Sequence, residues 1–239
     1  MQKSTTDSIT VFFPAFNEER NITKTVEDAI TVLKKIAQRW EIIVINDGST
    51  DGTKIKVDSL RKKYKEKIRL INHSENKGYG EALKSGFYSA NYDWIVTIDA
   101  DGQFDFADVT KLLVKAKQGH DVVIGYRLDR KDSLVRKING LGWTLLANLL
   151  LGINVRDVDC SFKLVKRKVI TSIPRLESTR GGMISPELLA KAKKHGFVIG
   201  EVGVQHFARK HGKQTGANVR VIVTSFVNLV KLWKKLKYF

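Results

Sequence analysis

A chain of 239 residues with 42 % hydrophobic and 28 % charged side chains has an ordinary globular composition, which excludes whole-chain disorder and fits one large domain or one domain with an appendage. The single cysteine, Cys160, excludes an internal disulfide and agrees with a reducing compartment. A net charge of +17 calls for an anionic partner: nucleic acid, a phospholipid surface or a phosphorylated substrate.

The first ten residues are polar, and Val11-Phe12-Phe13 is cut off by Pro14, so no signal segment is expected. Ser8–Phe13 reads as a strand. A helix follows from Asn21, its expected N-cap, to about Gln38, with Ile22, Val26, Ile30 and Leu33 at helical spacing. Glu41–Ile45 is a second strand, ending in the polar loop Asn46–Thr53; Lys54–Lys65 is a helix and Ile68–Asn72 a third strand. Asn76-Lys77-Gly78-Tyr79-Gly80 opens a helix over Glu81–Ala90, and Trp94–Ile98 is a fourth strand. It runs into Asp99-Ala100-Asp101-Gly102-Gln103, where residues two apart face one way in extended chain. Such a pair is either a cation site suited to Mg²⁺ or Mn²⁺ or an acidic turn. Alternating strands and helices with short connections predict a parallel sheet with helices on its faces, and ligands of such sheets bind at the strands' carboxyl ends, where Asp47, Asp99 and Asp101 all fall. Neither Gly-x-x-x-x-Gly-Lys-Ser/Thr nor an opening Gly-x-Gly-x-x-Gly occurs, so a metal and basic side chains are expected to hold any phosphates.

A helix over Ala107–Gln118 and a strand over Asp121–Gly125 precede the basic run Arg127, Arg130, Lys131, Arg136, Lys137, readable as a solvated loop. It leads into Leu134, Ile138, Leu141, Leu145 and Leu149, one helical face that suits either a membrane surface or packing against the domain. The apolar stretch Trp143–Ile153 contains Asn148 and falls short of the roughly 20 residues that span a bilayer. Asp157 and Asp159 alternate in a second acidic cluster, and Cys160 is expected to be a buried residue without chemistry. Ser185-Pro186-Glu187 reads as a helix start with Ser185 as N-cap and Pro186 at the first helical position. Phe197–Val204 is a strand that delivers a basic, glycine-containing loop, His206–Gly216; His206 and His211 lack partners at zinc-ligand spacing. The tail, Val219–Phe239, puts Ile222, Phe226, Leu229, Val230 and Trp233 on one face and crowds lysines at its end, as an interfacial helix does; a packed helix with a frayed basic end is the alternative.

Pro14-Ala15-Phe16-Asn17-Glu18-Glu19, Asn46–Thr53, Asn76–Gly80 and Asp99–Gln103 together resemble the family 2 glycosyltransferases of the GT-A fold. Gly125-Tyr126-Arg127, Asp157–Lys163 and Arg209–Lys213 resemble the polyprenyl-phosphate sugar transferases within it, dolichol-phosphate mannosyltransferase among them. The resemblance implies an α/β fold with a mostly parallel central sheet flanked by helices. It implies a catalytic domain over 1–217, with an interfacial helix at about 134–151, and a basic amphipathic helix over 218–239. The implied activity is metal-dependent, inverting transfer of a sugar from GDP-mannose or a UDP-sugar to a polyprenyl phosphate, with Mg²⁺ or Mn²⁺. The implied partners are the nucleotide-sugar donor, the polyprenyl-phosphate acceptor and the cytoplasmic face of a membrane, bound peripherally, with no nucleic acid. Pro14, Ala15, Asn17, Glu18, Asp47 and Lys77 would serve the nucleoside side, and Arg209 and Lys213 the donor diphosphate. Asp101 and Gln103 would be metal ligands, with Asp99 beside them near the donor sugar. Arg127 and Arg136 would hold the acceptor phosphate, and Asp157 would face sugar or acceptor. Two other readings stand beside this one: transfer to a sugar hydroxyl, which needs a base such as Asp157 or Asp159, and a non-enzymatic basic module for nucleic acid or membrane.

Overall fold

The computed structural model describes residues 6–129, 134–179, 181–211 and 219–237. In chain order they form β1 (Thr6–Ala15), α1 (Ile22–Ile36), β2 (Ala37–Asp47), α2 (Thr53–Tyr64), β3 (Ile68–His73), α3 (Tyr79–Ser89), β4 (Trp94–Thr97), α4 (Val109–Lys117), β5 (Val122–Leu128), α5 (Leu134–Leu151), β6 (Lys163–Lys166), α6 (Arg167–Ser172), α7 (Ile184–Lys194), β7 (Ile199–Gln205) and α8 (Val219–Lys237).

The strands make one seven-stranded sheet in the order β3-β2-β1-β4-β6-β5-β7. β1, β2, β3 and β4 pair in parallel, as do β5 and β7, while β6 lies antiparallel between β4 and β5. Strand order reverses at β1, whose neighbours are β2 and β4, and a crevice opens at the carboxyl ends beside such a switch. β1, β2 and β4 are near-continuous apolar runs, and Phe12, Phe13, Ile42, Ile43 and Ile95 are fully buried, as expected of strands covered on both faces. On one face α1 buries Ile22, Val26, Ala29, Ile30, Leu33 and Ile36. On α3, Gly86 leaves room for the Phe12 ring: a Cβ there would come within 2.3 Å of it. Phe87 then meets Phe12 edge-on at 5.0 Å.

The helix–strand alternation expected up to residue 125 is present, with shifted ends. α1 stops at Ile36 rather than Gln38, because Ala37 is already extended and pairs with Thr6. Asn21 is the N-cap of α1 by position, but its side chain donates to Glu18 Oε2 instead of capping. α7 begins at Ile184 after Met183, so Ser185 is not the N-cap and Pro186 is the third helical residue, where its missing N–H is still an unused donor. β6 and α6 were not expected, and Asp157 and Asp159 lie in a turn rather than in extended chain.

The stripe expected on α5 faces outward: Ile138, Leu141, Leu145 and Leu149 are 59 %, 66 %, 72 % and 78 % exposed, so it does not pack against the domain. Among the described side chains of this helix, Thr144 and Ala147 are the buried ones. α8 docks on α5 and on the turn Gly181–Met183, burying Leu229 with Leu232 and Leu236 partly covered. Its buried seam is therefore rotated from the expected face, and Phe226, Val227 and Val230 remain exposed. Among the described residues no helix is long and apolar enough to cross a membrane.

Candidate active site

The crevice is walled on one side by the turns after β1 and β2, which are stitched together. Asn17, in the left-handed region at φ 57°, donates its N–H to Ser49 Oγ and accepts from the Thr50 N–H. The Glu18 N–H donates to Thr53 Oγ1, and Glu19 accepts from the Gly52 N–H. Pro14 and Ala15 are buried at the end of β1, opposite Ile45 and Asn46.

Asp47 is 3 % exposed and accepts from the Lys77 N–H at 3.0 Å, the Gly78 N–H at 2.9 Å and His73 Nδ1 at 2.6 Å. Three of its roughly four acceptor positions are thus taken by the protein, so Asp47 shapes the 76–80 turn and does not present a free carboxylate to a nucleoside. Behind it, His73 Nε2 lies 2.9 Å from Ser85 Oγ. The Lys77 side chain is exposed.

The floor is the turn after β4. Asp99 is half-buried and accepts from the Tyr79 hydroxyl at 2.9 Å. Burial and then Asp99 hold the Tyr79 phenol firmly protonated. Asp101 is 8 % exposed, accepts from the Gln103 N–H at 3.0 Å, and is pushed up to about 7, first by burial and then by the charge of Asp99. Facing it, Arg209 reaches Asp101 Oδ2 at 3.2 Å with one arm and Glu18 with the other. The loop carrying Arg209 is tied to the floor, with the Phe207 N–H donating to the Gln103 carbonyl and Gln103 Nε2 to the Phe207 carbonyl. Among the described residues no three His, Cys, Asp or Glu side chains form a metal set. Two crowded carboxylates beside an amide nevertheless suit a hard divalent cation whose remaining ligands are phosphate oxygens and water.

The far wall is the turn before β6. Arg127 clasps Asp157 with a two-pronged ion pair, Nε to Oδ2 at 2.7 Å and Nη2 to Oδ1 at 2.8 Å, both side chains nearly buried. Burial works against the guanidinium's charge, and Asp157 more than offsets it. The two residues expected to face the acceptor separately therefore form one unit. Asp159 is solvent-exposed in the cleft and takes a hydrogen bond from Trp143 Nε1 at 3.1 Å. The protein mass around it and then Asp157 raise it to about 6. Beneath the turn, Lys163 is 2 % exposed, its charge opposed by burial, and donates to the Cys160 carbonyl. Burial pushes the Cys160 thiol up to about 12, so it is inert at neutral pH.

The turn after β4 and the Arg209 loop thus bring Asp99, Asp101, Gln103, Glu18 and Arg209 together. The Arg136 side chain and Lys213 lie outside the described residues. Tyr79, Trp143, Lys163 and His73 were not singled out in the sequence. Tyr79 and Lys163 lay inside quoted motifs, whereas only the fold brings Trp143 to Asp159.

The profile of glycosyl transferase family 2 matches residues 10–173. A dolichyl-phosphate beta-glucosyltransferase of Saccharomyces cerevisiae is 31 % identical, over 82 % of this chain and 66 % of its own. A dodecaprenyl-phosphate galacturonate synthase of Rhizobium johnstonii is 28 % identical, over 85 % of this chain and 60 % of its own. The chain thus spans somewhat under two thirds of the length of these curated relatives. Among solved structures, glucosyl-3-phosphoglycerate synthase of Mycobacterium tuberculosis, in complex with Mn²⁺, UDP-glucose and phosphoglyceric acid, superposes with a TM-score of 0.72 at 20 % identity, over 94 % of this chain and 80 % of that one, and shares the GT-A fold. A match over more than half its length makes this chain a member of glycosyl transferase family 2.

Proposed function

We propose that the protein transfers a sugar from a nucleotide-diphosphate sugar to a polyprenyl phosphate at a membrane surface, with Mg²⁺ or Mn²⁺ and with inversion at the anomeric carbon. The observation that carries the acceptor assignment is on α5: its outer face presents Ile138, Leu141, Leu145 and Leu149 to the surroundings while Trp143 of the same helix bonds Asp159 in the cleft. A lipid surface under that stripe would lie beside the site. The same stripe, with the net charge of +17, supports peripheral binding to anionic lipid at the cytoplasmic face.

In this reading Pro14, Ala15, Asn17, Glu18 and the turn shaped by Asp47, with Lys77 at its rim, hold the nucleoside. Asp101 and Gln103, with Asp99 beside them, hold the divalent cation, which when bound neutralises the diphosphate as it departs. Arg209 and Lys213 add positive charge to the same leaving group. An acceptor phosphate oxygen attacks the anomeric carbon, its new bond forming as the bond to the diphosphate oxygen breaks, and the nucleoside diphosphate leaves. A phosphate monoester with a second pKa near 6 is largely dianionic at neutral pH, so positioning matters more than proton removal. Arg127 and Arg136 supply that positioning, and Asp157 holds the Arg127 fork in place. The catalytic unit covers 1–217, with 218–239 as the basic helix against α5.

The relatives named above support UDP-glucose ahead of GDP-mannose as donor. The test is transfer of labelled glucose from UDP-glucose to a short polyprenyl phosphate with Mg²⁺ or Mn²⁺. Product that disappears in Asp101→Ala supports the reading. Absence of product with both donors overturns it. Asp159, a carboxylate raised to about 6 and, among the described residues, held by Trp143 rather than by an arginine clasp, favours a second reading in which it is the base for a sugar-hydroxyl acceptor; transfer to a soluble glycan that survives Arg127→Ala would establish that one instead.

A further inference from the structure

Trp143 sits where three parts of the molecule meet. It belongs to α5, between the outward-facing Leu141 and Leu145. Its ring meets Phe226 of α8 edge-on, centroids 6.2 Å apart at 66°. Its indole N–H donates to Asp159 at 3.1 Å, the only side-chain hydrogen bond that the described residues give this carboxylate. Gly182 leaves room for the same oxygen, since a Cβ there would come within 3.0 Å of Oδ1. Asp157, two residues away, is instead fixed by Arg127 within the domain core. The two carboxylates of this turn therefore answer to different supports, one to the sheet and one to the helix pair at the surface.

We infer that Trp143 is a positioning residue that ties the α5–α8 pair to the acceptor side of the cleft through Asp159, so that seating the helices on lipid sets where that carboxylate stands. This rests on the membrane-surface reading above and adds a coupling to it. Phe226 meets the ring edge-on and the N–H holds the carboxylate, so a shift of either helix moves Asp159, whereas Asp99, Asp101 and Arg209 are fixed to other elements.

Trp143→Phe keeps an aromatic ring against Phe226 and removes the indole N–H together with the pyrrole part of the ring. With polyprenyl phosphate in phosphatidylglycerol bicelles it is expected to lower acceptor kcat/KM about fivefold or more with donor KM unchanged, and combined with Asp159→Asn to be no worse than Asp159→Asn alone. A merely structural tryptophan would lower the melting temperature and shift both KM values together. A second readout needs no turnover: with ¹⁵N-labelled protein, the Trp143 indole N–H resonance is expected to move on adding the bicelles and to sit at a different position, with a smaller response, in Asp159→Asn. Acceptor kcat/KM within twofold of wild type in Trp143→Phe, or an indole signal indifferent to both bicelles and Asp159→Asn, overturns the inference. If the wild type transfers sugar to no polyprenyl phosphate, the proposed function falls, while the indole resonance still judges the link.

Discussion

At the scale of single residues, the cleft is a set of charges, most of which the chain has paired with each other. Arg209 spans Glu18 and Asp101, so a protein cation now stands against the carboxylate proposed for the metal. Arg209→Ala is expected to weaken UDP binding at least about tenfold, as loss of a charge-assisted contact does; calorimetry with Mn²⁺ present checks it, and an unchanged affinity would remove Arg209 from the donor site. Arg127 and Asp157 show the cost of such pairing. Asp157→Ala removes the two-pronged acceptor of a nearly buried guanidinium and is expected to lose about 3–5 kcal/mol, whereas Arg127→Met with Asp157→Leu loses less, because both charges of the pair go together. Urea unfolding of both variants decides this. Asp99 and Asp101 were legible in the sequence because the carboxyl-edge rule places them at the end of β4 without tertiary information; the expected extended-chain alternation does not, since β4 ends at Thr97 and both lie in the turn after it. Asp157 and Asp159 were legible as acidic but not as separate: they lie in a turn, where side chains two apart need not share a face. The clasp of Arg127 and Asp157, 30 residues apart, is tertiary and has no local signal.

At the scale of elements, periodicity located nearly all helices and strands and missed those whose reason is their neighbours. β6 is four residues long and begins and ends with lysine, so it carries no apolar alternation; it is a strand because β4 and β5 offer it edges on both sides. The start of α7 was misplaced for a related reason. Glu187 is not serving a cap near Ser185 but is 1 % exposed, paired with Lys191 at 2.6 Å and accepting from the N–H groups of Glu177 and Ser178, which clamps the segment before the helix. Burial alone would raise its pKa, but Lys191 and those donors bring it below its ordinary 4.5. A carboxylate depressed on folding adds stability above pH 4.5 that is lost as pH falls through its folded value, so the wild type is expected to lose more stability below that pH than Glu187→Gln. Thermal unfolding from pH 6 to pH 3 measures this; parallel curves would contradict it. The outer stripe of α5 was read correctly as a face, while what covers it could not be read, since periodicity does not name a partner. Leu141→Ser with Leu145→Ser is expected to abolish sedimentation with phosphatidylglycerol vesicles and leave the melting temperature unchanged, because both side chains are already exposed.

At the scale of the whole molecule, the sheet divides the labour. Its switch at β1 opens the crevice, the turns after β1, β2 and β4 line it with acid, and the loop after β7 closes a cation over it. The excess of 42 basic over 25 acidic residues was legible at once as a demand for an anionic partner, yet composition could not choose one. The fold narrows the choice by setting an uncovered apolar helix face next to the cleft. The most direct test of this account is the transfer assay with purified protein, labelled UDP-glucose, a divalent cation and polyprenyl phosphate in anionic bicelles. The account predicts a glucosyl polyprenyl phosphate that forms with wild type, fails without the cation, and is lost in Asp101→Ala. Labelled sugar that never leaves the nucleotide for a polyprenyl phosphate, or that moves equally well in Asp101→Ala, would contradict it.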